Sequence, residues 1–170
     1  YVSTDQFNLL LILVISFLAG PIFGLIAILY MKSLLLFANL ASSPKLTLLY
    51  KYIFAILSLS IIGHFMPEVM GLGTETVSGI LNSSYTLFFL IIILLGKILA
   101  TSISLNFGFF GGVFSPAILV GAAAGALVST LLVTLGIFED YQQALIISGI
   151  AAVAGAVIGA PICMVIIVLE

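Results

Sequence analysis

The chain has 170 residues, of which 64% are hydrophobic and 6% charged, with a mean hydropathy of +1.47 and a formal net charge of -2. A soluble domain devotes about 25% of its residues to charge in order to hydrate its surface; four lysines, six acidic residues and no arginine exclude one. The lipid bilayer is the expected surroundings, and nucleic acid is excluded as a partner because it requires a basic face against its phosphates.

The first six residues, Tyr1-Val2-Ser3-Thr4-Asp5-Gln6, carry no basic n-region, and the apolar run behind them is too long for a signal peptide. Phe7 to about Leu40 is one apolar stretch. At 1.5 Å per residue it reaches roughly 50 Å, beyond a hydrocarbon core of about 30 Å, so it must tilt or bend. Gly20-Pro21 is the expected kink, because proline removes a backbone donor and clashes with the preceding turn. Ala41-Ser42-Ser43-Pro44 reads as a loop and Leu46 to Phe65 as a second span ending at Met66-Pro67. Glu68 to Glu75 is polar and glycine-containing, which predicts a loop outside the bilayer core, followed by a short helix over Thr76 to Leu81.

Tyr85 to Ser104 is a third span, interrupted in composition by Gly96-Lys97. Asn106-Phe107-Gly108-Phe109-Phe110-Gly111-Gly112 holds too much glycine to continue it. Helical character resumes from Val113 to Leu135, with Pro116 in the first turn, where a missing amide proton costs little. Gly136 to Gln143 reads as a polar loop, Ala144 to Ile158 as a helix, and Pro161 to Leu169 as a helix too short to span. Such interrupted and short segments mark a channel or transporter rather than a simple anchor. The chain stops at Leu169-Glu170 directly behind an apolar run and reads as part of a longer polypeptide. Lys32, Lys45 and Lys51 cluster about the first loop, whereas Glu68 and Glu75 lie in the second, so the positive-inside rule puts the first loop in the cytoplasm.

A glycine-rich break between apolar helices must be buried in protein or line a polar cavity, since an unpaired backbone group in hydrocarbon costs several kcal/mol. The helix restarting at Val113 exposes its first amides, Val113 and Phe114 among them, at the positive end of a dipole worth roughly half a charge. Gly111 and Gly112 would let a small anion reach the main chain. The competing reading is a plain packing break, and the residues alone leave both open. For Gly121-Ala122-Ala123-Ala124-Gly125 and Ala151 to Ala156, small residues three and four apart predict close helix packing rather than ligand contact.

Gly96-Lys97, then Gly108-Phe109-Phe110-Gly111-Gly112-Val113-Phe114-Ser115-Pro116, then Gly121-Ala122 resemble the G-K/R, G-x-x-G-G-x-F-x-P and G-A/T signature of the CLC chloride channels and chloride/proton exchangers. Gly20-Pro21-Ile22-Phe23 and Gly159-Ala160-Pro161-Ile162, leading to Ile166-Ile167-Val168-Leu169-Glu170, are similar to family segments as well. The resemblance covers nearly the whole chain and implies an all-α polytopic membrane fold with tilted and broken helices. Residues 1–170 would form part of an inverted-repeat transmembrane domain, family helices J to P. Phe110 stands where the family frequently has proline. The implied chloride site comprises the amides of Val113 and Phe114, with Gly111 and Gly112 beside them, and Gly108, Ser115, Pro116 and Lys97 as pathway or structural support. The family's other chloride ligands, from G-S-G-I-P, a late tyrosine and the glutamate of G-K/R-E-G-P, do not occur here. They would come from the remainder of the polypeptide. The resemblance further implies a homodimer with Pro161 to Glu170 near the interface, in the plasma (inner) membrane of a bacterium, and no cofactor besides the transported chloride.

Lys97 would act as an interfacial anchor or as a partner of the pathway. His64 lacks metal-ligand neighbours, Cys163 sits in an apolar run, and Glu68, Glu75, Glu139 and Asp140 read as solvated loop charges. Ser115 reads as a local capping hydroxyl. No catalytic motif is present, so the chain is not expected to be an enzyme. Two other classes remain: an unrelated secondary carrier for an organic anion, which needs a larger cavity and a fixed cation, and a nonconducting membrane scaffold, which needs continuous helices through Gly108 to Gly112.

Overall fold

A computed structural model of the protein describes residues 6–43, 47–134 and 142–169. Pro44, Lys45, the segment 135–141 with Glu139 and Asp140, and Glu170 lie outside the described residues. Helices follow one another as α1 (Gln6–Ala41), α2 (Leu48–Phe65), α3 (Thr74–Leu81), α4 (Leu87–Asn106), α5 (Phe114–Thr134), α6 (Gln142–Ile158) and α7 (Pro161–Leu169), with a 3-10 turn at Pro67–Val69. No strand occurs among the described residues. The fold is all-α, and α1, α2, α4 and α5 are each long and apolar enough to cross a bilayer.

Helix α1 runs through Gly20-Pro21 without interruption, with Pro21 inside it. Loss of one donor is tolerated because the rest of the ladder continues. The helix buries a stripe of every third or fourth residue, Ala19, Phe23, Ala27 and Tyr30, and leaves Phe17, Leu18 and Leu25 outward. That stripe joins the main core with Leu90, Ile93 and Leu94 of α4, Leu119 to Ala124 of α5, and Ile146, Ile150 and Val153 of α6. A smaller cluster of Ala41, Ala55, Ile103 and Phe107 ties α2 to the end of α4.

Helices α5 and α6 touch at backbone distance, as the spacing of Gly121 and Gly125 predicts for α5. A methyl group on Gly121 would fall 2.7 Å from Ile150 Cα, and one on Gly125 2.5 Å from Ile146 Cα. Lipid tails are as apolar as leucine, so helices in a membrane gain by such close van der Waals approach rather than by expelling water. This contact fixes the axis of α5, whose first turn is the site described next. Gly125→Ala is expected to force the two backbones apart and cost about 1–3 kcal/mol, the range for overpacking a filled interior. Gly20→Ala, where an added methyl meets nothing within 4 Å, should leave stability unchanged. Unfolding midpoints of the two variants of the full-length protein in detergent check the contrast.

Candidate anion site

Helix α4 ends at Asn106, and its last turns close through Phe107 N to Ile103 O (3.0 Å) and Phe109 N to Ser104 O (3.1 Å). The reversal passes through Gly108 at φ +111°, where the Tyr52 ring of α2 packs directly on its α-carbon. A side chain there would meet both backbone strain and that ring. Tyr52 also meets Phe109 edge-on, with ring centroids 6.5 Å apart. Thus α2 braces the break from one side.

The chain then reaches α5. Val113 O accepts the first helical bond, from Ala117 N at 3.0 Å, so Val113 is the N-cap residue and Phe114 the first helical one. Valine has no oxygen to cap with. The amides of Val113, Phe114 and Ser115 therefore have no acceptor among the described residues, and Pro116 has no amide proton to leave unpaired. Gly111, Gly112, Val113 and Phe114 form one continuous approach to these donors, and a methyl placed on Gly112 would meet nothing within 4 Å. Phe114 is 44% exposed, and Phe110 turns fully outward.

The segment between α2 and α3 returns across this break. Lys97, in the middle of α4, is 4% exposed, and its Nζ donates to Val69 O at 2.7 Å and Gly71 O at 2.8 Å. From the other side Ser115 Oγ donates to Leu72 O at 2.5 Å. Thr76 Oγ1 donates to Glu68 O at 2.8 Å. The segment Pro67 to Gly73 is consequently a strap tied to α3, α4 and α5 rather than a free polar loop, with Val69 buried beneath it. Lys97 does not snorkel as an interfacial anchor; two carbonyls meet its charge inside the protein. Ser115 is no local cap either, since its acceptor lies 43 residues away. A cavity of about 160 Å³ opens under the strap, lined among others by Gly71, Lys97, Thr101, Ser104, Gly111 and Gly112.

The profile of the family described as "Voltage gated chloride channel" matches residues 2–170. The chain belongs to that family. It is 31% identical over 147 residues to an uncharacterized protein of Methanocaldococcus jannaschii, covering 86% of this chain and 36% of that one. A protein of Vibrio vulnificus named as an H(+)/Cl(-) exchange transporter is 33% identical over 110 residues, 62% of this chain and 23% of its own length. One of Ralstonia nicotianae, named as a putative chloride channel protein, is 38% identical over 65 residues, 38% of this chain and 15% of its own. The chain thus spans about a third of the archaeal relative and about a quarter of the Vibrio one. No solved structure matches it.

This CLC-family chain is an integral membrane segment with a genuine break in its helices between Asn106 and Phe114. A scaffold with helices continuous through Gly108 to Gly112 does not have this geometry. The cavity under the strap is itself smaller than the 300–1,000 Å³ usual for an organic ligand. His64 lies exposed against the edge of Phe65, and the described residues hold no cluster suited to a metal ion.

The strap is the feature that sequence reasoning missed. Its signal was present in Lys97, an ammonium in the middle of an apolar span that must find acceptors, and in Gly71 and Gly73, at φ +66° and +78°, which let the strap turn its carbonyls inward. Lys97→Met strands two carbonyls that each accept a charge-assisted bond worth about 1.5–3 kcal/mol, so a loss of about 3 kcal/mol is expected. Ser115→Ala, which removes one neutral donor, should cost about 1 kcal/mol. Denaturation of the full-length variants in detergent ranks them; a larger effect of Ser115→Ala would contradict the strap's dependence on Lys97.

Proposed function

We propose that the chain is part of a CLC-type transmembrane domain that carries chloride across a membrane, as a channel or as a chloride/proton exchanger. The ion is held by the main-chain amides of Val113 and Phe114 at the start of α5, with Gly111 and Gly112 keeping its approach free of side chains. Gly108, Ser115, Pro116 and Lys97 support the site. The observation that carries this reading is the set of orphaned amides at a helix start that no side chain caps, in a chain of the chloride-channel family.

The chemistry favours a weakly held ion. Partial charges in a low-dielectric site bind a halide without trapping it, whereas a full countercharge at contact is far harder to leave. Phosphate and other dianions would need more than amide dipoles. The relatives' names include both an exchanger and a channel, and the reading keeps both. No cofactor takes part besides the transported chloride, and no bond is made or broken, so the protein is a transporter rather than an enzyme. It works in a bacterial inner membrane as a homodimer, with Pro161 to Glu170 near the subunit contact and the rest of the polypeptide completing the pathway.

Chloride efflux from liposomes holding the full-length protein tests the assignment, run with and without a pH gradient to separate channel from exchanger. Phe114→Pro deletes one amide at the first helical position, where proline fits a helix. It should slow flux about 10- to 100-fold, the equivalent of one hydrogen bond to a charged group. Phe114→Leu keeps the amide and should stay within about threefold of the parent, since only ring contacts change. Equal flux in Phe114→Pro and the parent, with normal folding, removes the amides from the site.

A further inference from the structure

We infer that Phe110 restricts flow toward the start of α5: its ring narrows a water-filled approach that runs along Gly111 and Gly112. The inference rests on reading the chain as an anion conductor, and it adds to that reading a side chain that sets the rate. Three observations carry it. The first is the ring itself, which is fully exposed and packs against nothing among the described residues. Its neighbour Phe109 is held edge-on to Tyr52, and the same Tyr52 ring lies against the α-carbon of Gly108. Phe110 therefore projects from a braced stem rather than from a loose end.

The second observation is the main chain around the ring. Gly108 to Gly112 are all exposed, and the amides of Phe110, Gly111 and Gly112 and the carbonyls of Gly108 to Gly112 have no backbone partner among the described residues. Hydrocarbon cannot answer such groups, and a covering helix has its own main-chain groups already paired. Water can answer them, which places Phe110 in an aqueous approach rather than against lipid. Third, nothing else narrows the way to α5. A methyl added to Gly112 would meet nothing within 4 Å, and one on Gly111 would meet only Leu105 Cδ2, at 3.2 Å. In sequence Phe110 is thus the last side chain before the open amides of Val113 and Phe114.

The chemistry of a phenyl ring suits restriction rather than binding. It carries no hydrogen-bonding group to replace the water an ion sheds, and apolar constrictions regulate passage by dewetting. Its edge is weakly positive, so an anion can slip past it without repulsion. The compact proline frequent in the family at this position is replaced by a larger side chain, which makes the restriction a property of this chain.

Chloride flux from liposomes holding the full-length protein reads the effect. Phe110→Ala should raise it and Phe110→Trp lower it, each by about threefold or more. The unfolding midpoint of Phe110→Ala in detergent should match the parent, because the ring has no packing to lose. Phe110→Cys, made in a Cys163→Ser background since Cys163 is itself exposed, should react with a negatively charged, membrane-impermeant methanethiosulfonate and lose flux as it does. Flux that moves in neither Phe110→Ala nor Phe110→Trp overturns the inference. So does a Phe110→Cys variant that resists the reagent, or a lowered midpoint in Phe110→Ala, since either puts the ring in a pocket of the remaining polypeptide. The proposed chloride site is judged separately. If Phe114→Pro keeps the parent's flux while the Phe110 variants behave as expected, the amides lose the ion and the restriction stands. If Phe114→Pro slows flux and the Phe110 variants change nothing, the restriction alone falls.

Discussion

Every backbone donor and acceptor inside a bilayer has to be answered by protein, because no water is there to do it. That constraint explains the centre of this molecule. Between Asn106 and Phe114 the helical ladder is interrupted, and the groups it releases are met in different ways. The carbonyls of Ile103 and Ser104 are closed by Phe107 and Phe109. The amides at the start of α5 are left open. An interruption that closed all of its groups internally would be a structural joint. One that leaves donors free on a single side has a polarity, and the proposed chloride site draws on that polarity.

The surrounding helices hold this arrangement in place by means suited to a membrane. Glycine-mediated contact between α5 and α6 sets the axis of α5. On the other flank α1 and α4 are joined by a polar seam: Ser33 and Ser102 share a hydrogen bond of 3.0 Å, and Asn106 Nδ2 donates to Leu34 O at 3.2 Å and Ser102 O at 2.9 Å. Interhelical hydrogen bonds of this kind contribute modestly to stability, but they specify rotation and depth where apolar faces alone would slide. The seam lies at the C-terminal half of α4, so the end of the helix that leads into Gly108 is the better anchored one.

Much of this was legible in the sequence. Helix ends fell where glycine and proline interrupt the apolar runs, and the break at Gly108 to Gly112 was marked by composition alone. The small-residue spacing of Gly121 and Gly125 carried the α5 side of the α5–α6 contact, whereas its α6 side centres on Gly149, ahead of the run Ala151 to Ala156, whose Gly155 faces Pro161 instead. What stayed hidden depends on distance along the chain. Ser115 is unremarkable until Leu72 O arrives beside it, and the polarity of Glu68 to Glu75 suggests a solvated loop even though Val69 is buried. A proline foretells a lost hydrogen bond, but neighbouring turns decide whether the helix continues, and in α1 it does. Side-chain identity reports local preference, whereas which carbonyl meets which donor is settled by tertiary approach.

The strap shows how the two requirements on the break are reconciled. Leu72 O of the strap lies beside the start of α5, where the amides of Val113, Phe114 and Ser115 have no acceptor among the described residues. Instead Val69 O and Gly71 O are drawn to Lys97, and Leu72 O to the hydroxyl of Ser115. Each of these carbonyls is engaged by a side-chain donor, and none of them pairs with the amides at the start of α5. An ammonium suits this task, since one group satisfies two carbonyls from the far side of the strap. Lys97 and Ser115 thereby hold the strap by its carbonyls without drawing on the main-chain donors of α5. In the proposed chloride site, an ion approaching along Gly111 and Gly112 meets N–H groups that no carbonyl of the strap has capped.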